Sequence, residues 1–342
     1  MRRPTITDIA ERAGVTKAAV SFALNGQPGV SAATRERILA IAEEIGFQPN
    51  SAARALTAGR AGAFGFILDR PARTLGIEPY FMQLISGIQS ELSGHHVTLV
   101  FTLAEDQDDE IEMYRQWWAQ GRVDGVFVVD LQVSDRRIAV LEKLNMPAVV
   151  VGTPRGSGSL PAVWQDDSGA VETVIRHLAG LGHQRVARVG GFGKYWHSAL
   201  RKQAFADVAA RAGLEALSVE GDYSAEFGGE ATRSLLRSAS PPTAILYDSD
   251  VMAVAGLGMA QRLGVSVPSG LSLVSWDDSV LCELTNPAVT ALHRDIAAAG
   301  ATAARVLREM TAGGAPANVA EPAPEFVIRE STGPAAAPAS LC

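Results

Sequence analysis

Residues 5–26 read TITDIAERAGVTKAAVSFALNG, and residues 30–56 read VSAATRERILAIAEEIGFQPNSAARAL. This stretch encodes three short helices. Thr5, followed by Asp8, forms an N-terminal capping box. Ile6, Ile9, Ala10 and Ala13 share one face, and Gly14 ends the helix. Thr16 caps a second helix with Ala19, Val20, Ala23 and Leu24 inward and Asn25-Gly26 as its stop. Ser31 caps a third, with Ile38, Leu39, Ala42 and Ile45 inward and Gly46 at its end. Two helices joined by a tight Gly-Val turn and closed by a third make a helix-turn-helix mini-core.

Downstream lie Pro49-Asn50 and the Ala-rich SAARALTAGR. Asn50 is a good N-cap, but a helix of about eight residues is too short to hold alone in water. Such a segment between two domains is expected to order only against a partner. From Ala63 the pattern changes to short apolar runs (AFGFILD, HVTLVFT, GVFVVD, AVVVGT, VARVGG, TAILYD, LSLVSW) separated by amphipathic segments such as Phe81 to Leu92. This is the rhythm of parallel α/β units, with too many strands for one compact sheet, so two similar lobes are expected. The Pro/Ala-rich end predicts a disordered tail over 333–342 without heptads.

At 342 residues, with 47% hydrophobic and 20% charged residues, the chain can bury more than one core. No run approaches the roughly 18 apolar residues of a membrane span, and the N-terminus has no apolar signal core. Cys282 and Cys342 could pair, but so few cysteines favour a reduced, cytoplasmic protein. Net charge is −7. Residues 1–60 hold eight Lys/Arg against five acids, a balance of +3, which leaves −10 for the rest. A basic head on an acidic body suits a phosphate-facing module joined to something else.

The head and the segment after it closely resemble the LacI/GalR family of transcriptional regulators. The body resembles it too, through EPYFMQLISGI, GRVDGVFVV, DDSGA, HLAGLGHQRVARVGG, RKQAF, SDVMAVAGL, VSWDDS and EFVIRESTGP. The resemblance implies a small all-α helix-turn-helix domain, then a two-lobed α/β domain like a periplasmic sugar-binding protein, with parallel sheets. The expected layout is a head at 1–48, a hinge helix at 49–60 and an effector-binding, dimerising body at 61–332. Its N-lobe would span about 61–162 and 291–322, and its C-lobe about 163–290 and 323–332.

The resemblance also implies roles. The second helix enters the major groove of double-stranded operator DNA, with Lys17 and Ala18 at base edges. Thr5, Thr16, Ser21, Asn25, Ser31 and Thr34 match positions that hold phosphates. Phe22 stands where an Arg is common, trading a guanine fork for an apolar contact. In the hinge, Asn50 caps, Arg54 reaches toward phosphate and Leu56 wedges into the minor groove. Effector contacts map to Tyr80, Phe81, Asp130, His197, Arg201, Tyr223, Ser249 and Asp277. Carboxylates, an Arg fork and aromatic faces suit a sugar. Ser249 replaces a common Asn, and His197 a smaller polar residue. Trp276 is a further pocket candidate. Asp277 and Arg201 are poor core residues and are expected to line the cleft.

The implied protein is a homodimeric, cytoplasmic, nucleoid-associated repressor induced by a sugar or glycoside. No membrane partner, cofactor or metal is expected. A purine or nucleoside corepressor is the alternative effector. A receptor that has lost specific DNA binding is another reading, motivated by the apolar Ala18 and Phe22. Enzyme chemistry has little support. VARVGGFGKYW fails the dinucleotide pattern because Trp196 stands where the third glycine belongs. The six histidines lack metal-ligand spacing, His183 reads as structural, and EDQDDEIE at 105–112 reads as a solvated helix start.

Overall fold

The computed structural model describes residues 4–47, 60–71 and 75–335. The chain divides into two compact units, Met1–Ala61 and Gly62–Cys342. In the first, α1 (Ile6–Ala13), α2 (Lys17–Leu24) and α3 (Ala32–Glu44) surround Ile9, Ala10, Ala13, Val20, Ala23, Ile38 and Ala42. Each start is capped by the side chain that the sequence supplies. Thr5 and Asp8 form a reciprocal capping box, Thr16 Oγ1 accepts from Ala19 N, and Ser31 Oγ accepts from Thr34 N. Gly14, at φ 63°, adopts the left-handed conformation that closes α1. Leu39 is a correction: it is 45% exposed. Successive helical residues are about 100° apart, so Leu39 faces away from the Ile38–Ala42 stripe.

The second unit carries two parallel sheets. The first has strand order β11-β5-β4-β3-β1-β2, built from β1 (Ala63–Leu68), β2 (Thr98–Leu103), β3 (Gly125–Val128), β4 (Ala148–Val151), β5 (Ala162–Trp164) and β11 (Val319–Ala320). The second has order β12-β10-β9-β8-β6-β7, built from β6 (Arg185–Gly190), β7 (Glu215–Glu220), β8 (Ala244–Tyr247), β9 (Ser272–Ser275), β10 (Thr290–His293) and β12 (Glu325–Val327). Only the β10–β12 pair is antiparallel. The inner strands are buried along their length, as expected where helices cover both faces. Sequence reading missed β5, β7, β10, β11 and β12. The edge strand β7 alternates polar residues through EALSVE, and β5, β11 and β12 are three residues or fewer. The chain passes between the sheets after β5, after β10 and after β11.

Helices pack closely enough to need glycine. α4 (Pro79–Ser93) crosses α12 (Ile296–Thr311) at Gly87 and Gly300. A Cβ on Gly87 would sit 1.9 Å from the Ala297 carbonyl oxygen.

Two features run against the sequence reading. The 105–112 acids are not all solvated, because Glu110 is fully buried on α5 (Gln107–Ala119). It accepts from Arg137 Nη1 at 2.9 Å, and Arg137 Nη2 reaches the Asp130 carbonyl at 3.1 Å. The first residues of the expected 333–342 tail are held in place: Gly333 N donates to Ser272 Oγ and Ala335 N to the Leu181 carbonyl. His183 is structural, within hydrogen-bond distance of Thr243 and Ser272. Cys282 is buried and unpaired. Among the described residues no helix is long and apolar enough to cross a membrane.

Gly87→Ala is expected to lower stability by about 1–3 kcal/mol, since backbone cannot yield as a side chain does. Gly94→Ala, whose Cβ would meet only the Glu91 carbonyl at 3.9 Å, should be close to neutral in the same urea titrations.

Candidate functional site

Between the two sheets of the second unit lies a cavity of about 360 Å³. The first sheet's lobe contributes Arg70, Glu78, Tyr80, Phe81 and Asp130; the second contributes His197, Arg201, Tyr223, Asp248 and Asp277. The charges come in pairs. Arg70 Nε donates to Asp130 Oδ2 at 2.7 Å, Arg201 Nε donates to Asp167 Oδ2 at 2.9 Å, and Arg294 pairs with Asp277. Beneath them Arg188 donates to Asp248 in a fully buried pair. Burial alone would raise the Asp130 carboxyl, but Arg70's charge and hydrogen bond hold it below the usual range.

Aromatic rings pack around these pairs, Tyr80 and Tyr223 on the cavity wall and Tyr195 and Trp276 behind it. Arg70's guanidinium lies 4.8 Å from the Tyr195 ring centre and 5.0 Å from that of Tyr223. Arg201 lies 4.0 Å over Trp276. His197 stacks on Tyr195, and its Nε2 is 2.8 Å from Tyr223 Oη. Burial, then the charge of Arg201, pushes His197 down to about 3, so it is neutral. Tyr223's ring takes the space a Cβ on Gly191 would fill, 1.8 Å away. That close approach explains Gly191, the first glycine of the stretch that imitates a dinucleotide motif. Asp130 (φ 51°) and Tyr223 (φ 64°) have left-handed backbone. Such strain in non-glycine residues clusters at functional sites.

Seven of the eight sequence-derived effector residues line this cavity: Tyr80, Phe81, Asp130, His197, Arg201, Tyr223 and Asp277. Phe81 is also core, 1% exposed. Ser249 is a correction. It is buried and caps α10 (Asp250–Arg262), its Oγ accepting from Met252 N, and it does not line the cavity. A serine is too short to reach past its own helix start. Trp276 is fully buried under Arg201 rather than on the wall. Sequence reading missed Arg70, Glu78, Asp167 and Arg294. Two of these lie inside segments already singled out, EPYFMQLISGI and DDSGA, but single charges there carry no spacing signal.

In the first unit, Lys17, Ala18, Phe22 and Asn25 are exposed and Ser21 half-buried. Their spacing (i, i+1, i+4, i+5, i+8) puts them on one face of α2, away from buried Val20 and Ala23. Phe22 is 40% exposed. Thr5, Thr16, Ser31 and Thr34 lie at helix starts, where backbone N–H groups and the positive dipole end suit phosphate. Asn25 Nδ2 donates to the Ser21 carbonyl at 3.0 Å, which fixes its side chain beside that face. Asn50, Arg54 and Leu56 lie outside the described residues.

Residues 5–50 match the family model of bacterial regulatory proteins, lacI family, and residues 175–332 match that of a periplasmic binding protein-like domain. The chain is 31% identical over 344 residues to the HTH-type transcriptional regulator AglR of Rhizobium meliloti (strain 1021), covering 96% of this chain and 94% of that protein. It is similar to the Lac repressor dimer solved with operator and the anti-inducer ONPF (25% identity, 97% of this chain, 100% of that one, TM-score 0.86). It is also similar to the transcriptional regulator CelR in complex with cellobiose (27% identity, 96% and 100% coverage, TM-score 0.74).

Replacing Arg70 with Met would strand the Asp130 carboxylate, costing about 3 kcal/mol at pH 7. Because Asp130 is held down by Arg70, the pair stabilises above the unfolded carboxylate range near about pH 4 and fades as pH falls through the native value. The stability gap between wild type and Arg70→Met, from urea unfolding, should therefore be wide at pH 7 and narrow as the pH falls below about 4.

Proposed function

This chain belongs to the LacI family of bacterial regulatory proteins, and from that premise we propose that it is a repressor released from its operator by an uncharged sugar or glycoside. The charge balance of the cleft carries this reading. Arg70, Arg201 and Arg294 are each matched by an aspartate, and the rings of Tyr223 and Tyr80 lie beside Arg70 and Arg294 on the cavity wall. A polyol can bridge such pairs through hydroxyls while its C–H faces lie on rings. The cellobiose held by the related CelR supports the same chemistry.

Two heads on a homodimer would bind the half-sites of a near-palindromic operator in the cytoplasm, on the nucleoid. One head offers few base-edge side chains, so pairing supplies the affinity. Lys17, Ala18 and Phe22 would read base edges; Thr5, Thr16, Ser21, Asn25, Ser31 and Thr34 would fix register on phosphates. Asn50, Arg54 and Leu56 would act in the hinge, with Leu56 as the minor-groove wedge. Sugar in the cleft would bias the hinge through a coupling of about 1–3 kcal/mol, which must be reciprocal.

Fluorescence titration of operator DNA from the protein's own promoter, with and without candidate sugars, tests this. An inducer should weaken operator binding about 5- to 150-fold, and operator should weaken inducer binding by the same factor. Equal sugar affinity with and without operator contradicts the coupling. Leu56→Ala should lose most specific operator affinity while sugar binding stays intact.

A further inference from the structure

Glu78 is the N-cap residue of α4, yet its side chain makes no capping hydrogen bond. N-caps favour Ser, Thr, Asp or Asn, whose short side chains reach the free N–H groups of the first turn. Here Pro79 follows at the first helical position, and the Glu78 carboxyl lines the cleft. Its Oε2 is shielded from solvent and, among the described residues, has no hydrogen-bond partner. Arg294 Nε, on the same cavity wall, is likewise buried and unpartnered. A buried acceptor and a buried donor left open in one cavity ask for a ligand that brings both kinds of group.

Building on the sugar-effector reading above, we propose that Glu78 is a specificity-determining residue: its Oε2 accepts a hydrogen bond from a hydroxyl of an uncharged sugar, and its presence shuts out anionic sugars such as phosphate esters and uronates.

The surrounding charges support the exclusion. Arg70, Asp130, Asp277 and Asp250 all act on Glu78. The two arginines of this corner, Arg70 and Arg294, are already committed to Asp130 and Asp277. Among the described residues, an anion placed here would meet no unpaired cation on the inner wall, because Arg155 is exposed and lies 5.5 Å from the Trp196 ring centre. Burial first, then the neighbouring carboxylates, push Glu78 up to about 8 against the pull of Arg70. The ionised form of the group repels a phosphate, whereas the neutral acid, which predominates below that value, offers it one O–H donor and no charge. A sugar hydroxyl can donate to either form, and more strongly to the ionised one.

Two variants of the full chain test the assignment. In the free protein, Glu78→Met removes a buried carboxyl oxygen, Oε2, that nothing described satisfies, so the melting temperature should rise, on the order of 2–4 °C. Calorimetric titration with cellobiose and maltose, and with their 6-phosphate esters, reads the ligand side. Wild type should bind one or both neutral disaccharides and reject the esters. Glu78→Met should weaken the neutral sugar about tenfold or more, the loss of one such hydrogen bond. Glu78→Gln, which keeps an acceptor oxygen, should restore neutral-sugar affinity while relaxing rejection of the esters. A lower melting temperature in Glu78→Met, unchanged sugar affinity in it, or tight ester binding by wild type overturns the proposal. Failure of both neutral disaccharides on wild type counts against the sugar reading; the melting shift of Glu78→Met still judges whether its carboxyl is kept for a ligand.

Discussion

Pairing of each inner-wall cleft arginine with an aspartate is the constraint on which the rest of the body depends. A buried guanidinium without a carboxylate would cost several kcal/mol, so Arg70, Arg201 and Arg294 dictate where Asp130, Asp167 and Asp277 must stand. That requirement reaches into the backbone. Asp130 adopts left-handed geometry, and Arg137, anchored on buried Glu110, holds its carbonyl. The deep Arg188–Asp248 pair does the same below the floor, where Arg188 also donates to the Ser198 carbonyl.

The same groups join the lobes. Arg70 comes from the first sheet's lobe, yet its guanidinium is enclosed by Phe192, Tyr195 and Tyr223 of the second. Beside it, Val133 N donates to the Lys194 carbonyl at 2.9 Å and Trp196 N to the Leu131 carbonyl at 2.8 Å. A ligand entering between the lobes must be accommodated by contacts that already tie them. Its binding energy is thereby linked to lobe geometry, which is what a switch requires.

How much of this was legible depends on the kind of signal. The head was readable almost to the residue, because caps, stops and helical spacing are local: Thr5, Thr16, Ser31 and Gly14 do in the structure what their types favour. Leu39 was misplaced because apolar type outweighed its angle on the helix. The strong strands of the body were legible as apolar runs, while short or polar edge strands were not. In the cleft, the family resemblance located Asp130, Arg201 and Asp277, but not their partners. Asp167 and Arg294 are distant in sequence from what they neutralise or lie in unremarkable local context, and Glu78 looks like an ordinary acid at a helix start. Ser249 failed for the opposite reason: its position suggested a ligand contact, and the helix start claimed its hydroxyl.

A charge-balanced cleft in one unit and a DNA-binding head in the other make the two affinities respond differently to salt. The decisive measurement is a titration series, from about 50 to 500 mM salt, of operator binding and of the ligand that releases it. Operator affinity should fall steeply and linearly on logarithmic axes as counterions compete, while ligand affinity stays flat. Ligand binding that weakens in step with the operator would mean an anionic effector and would contradict the account of the cleft.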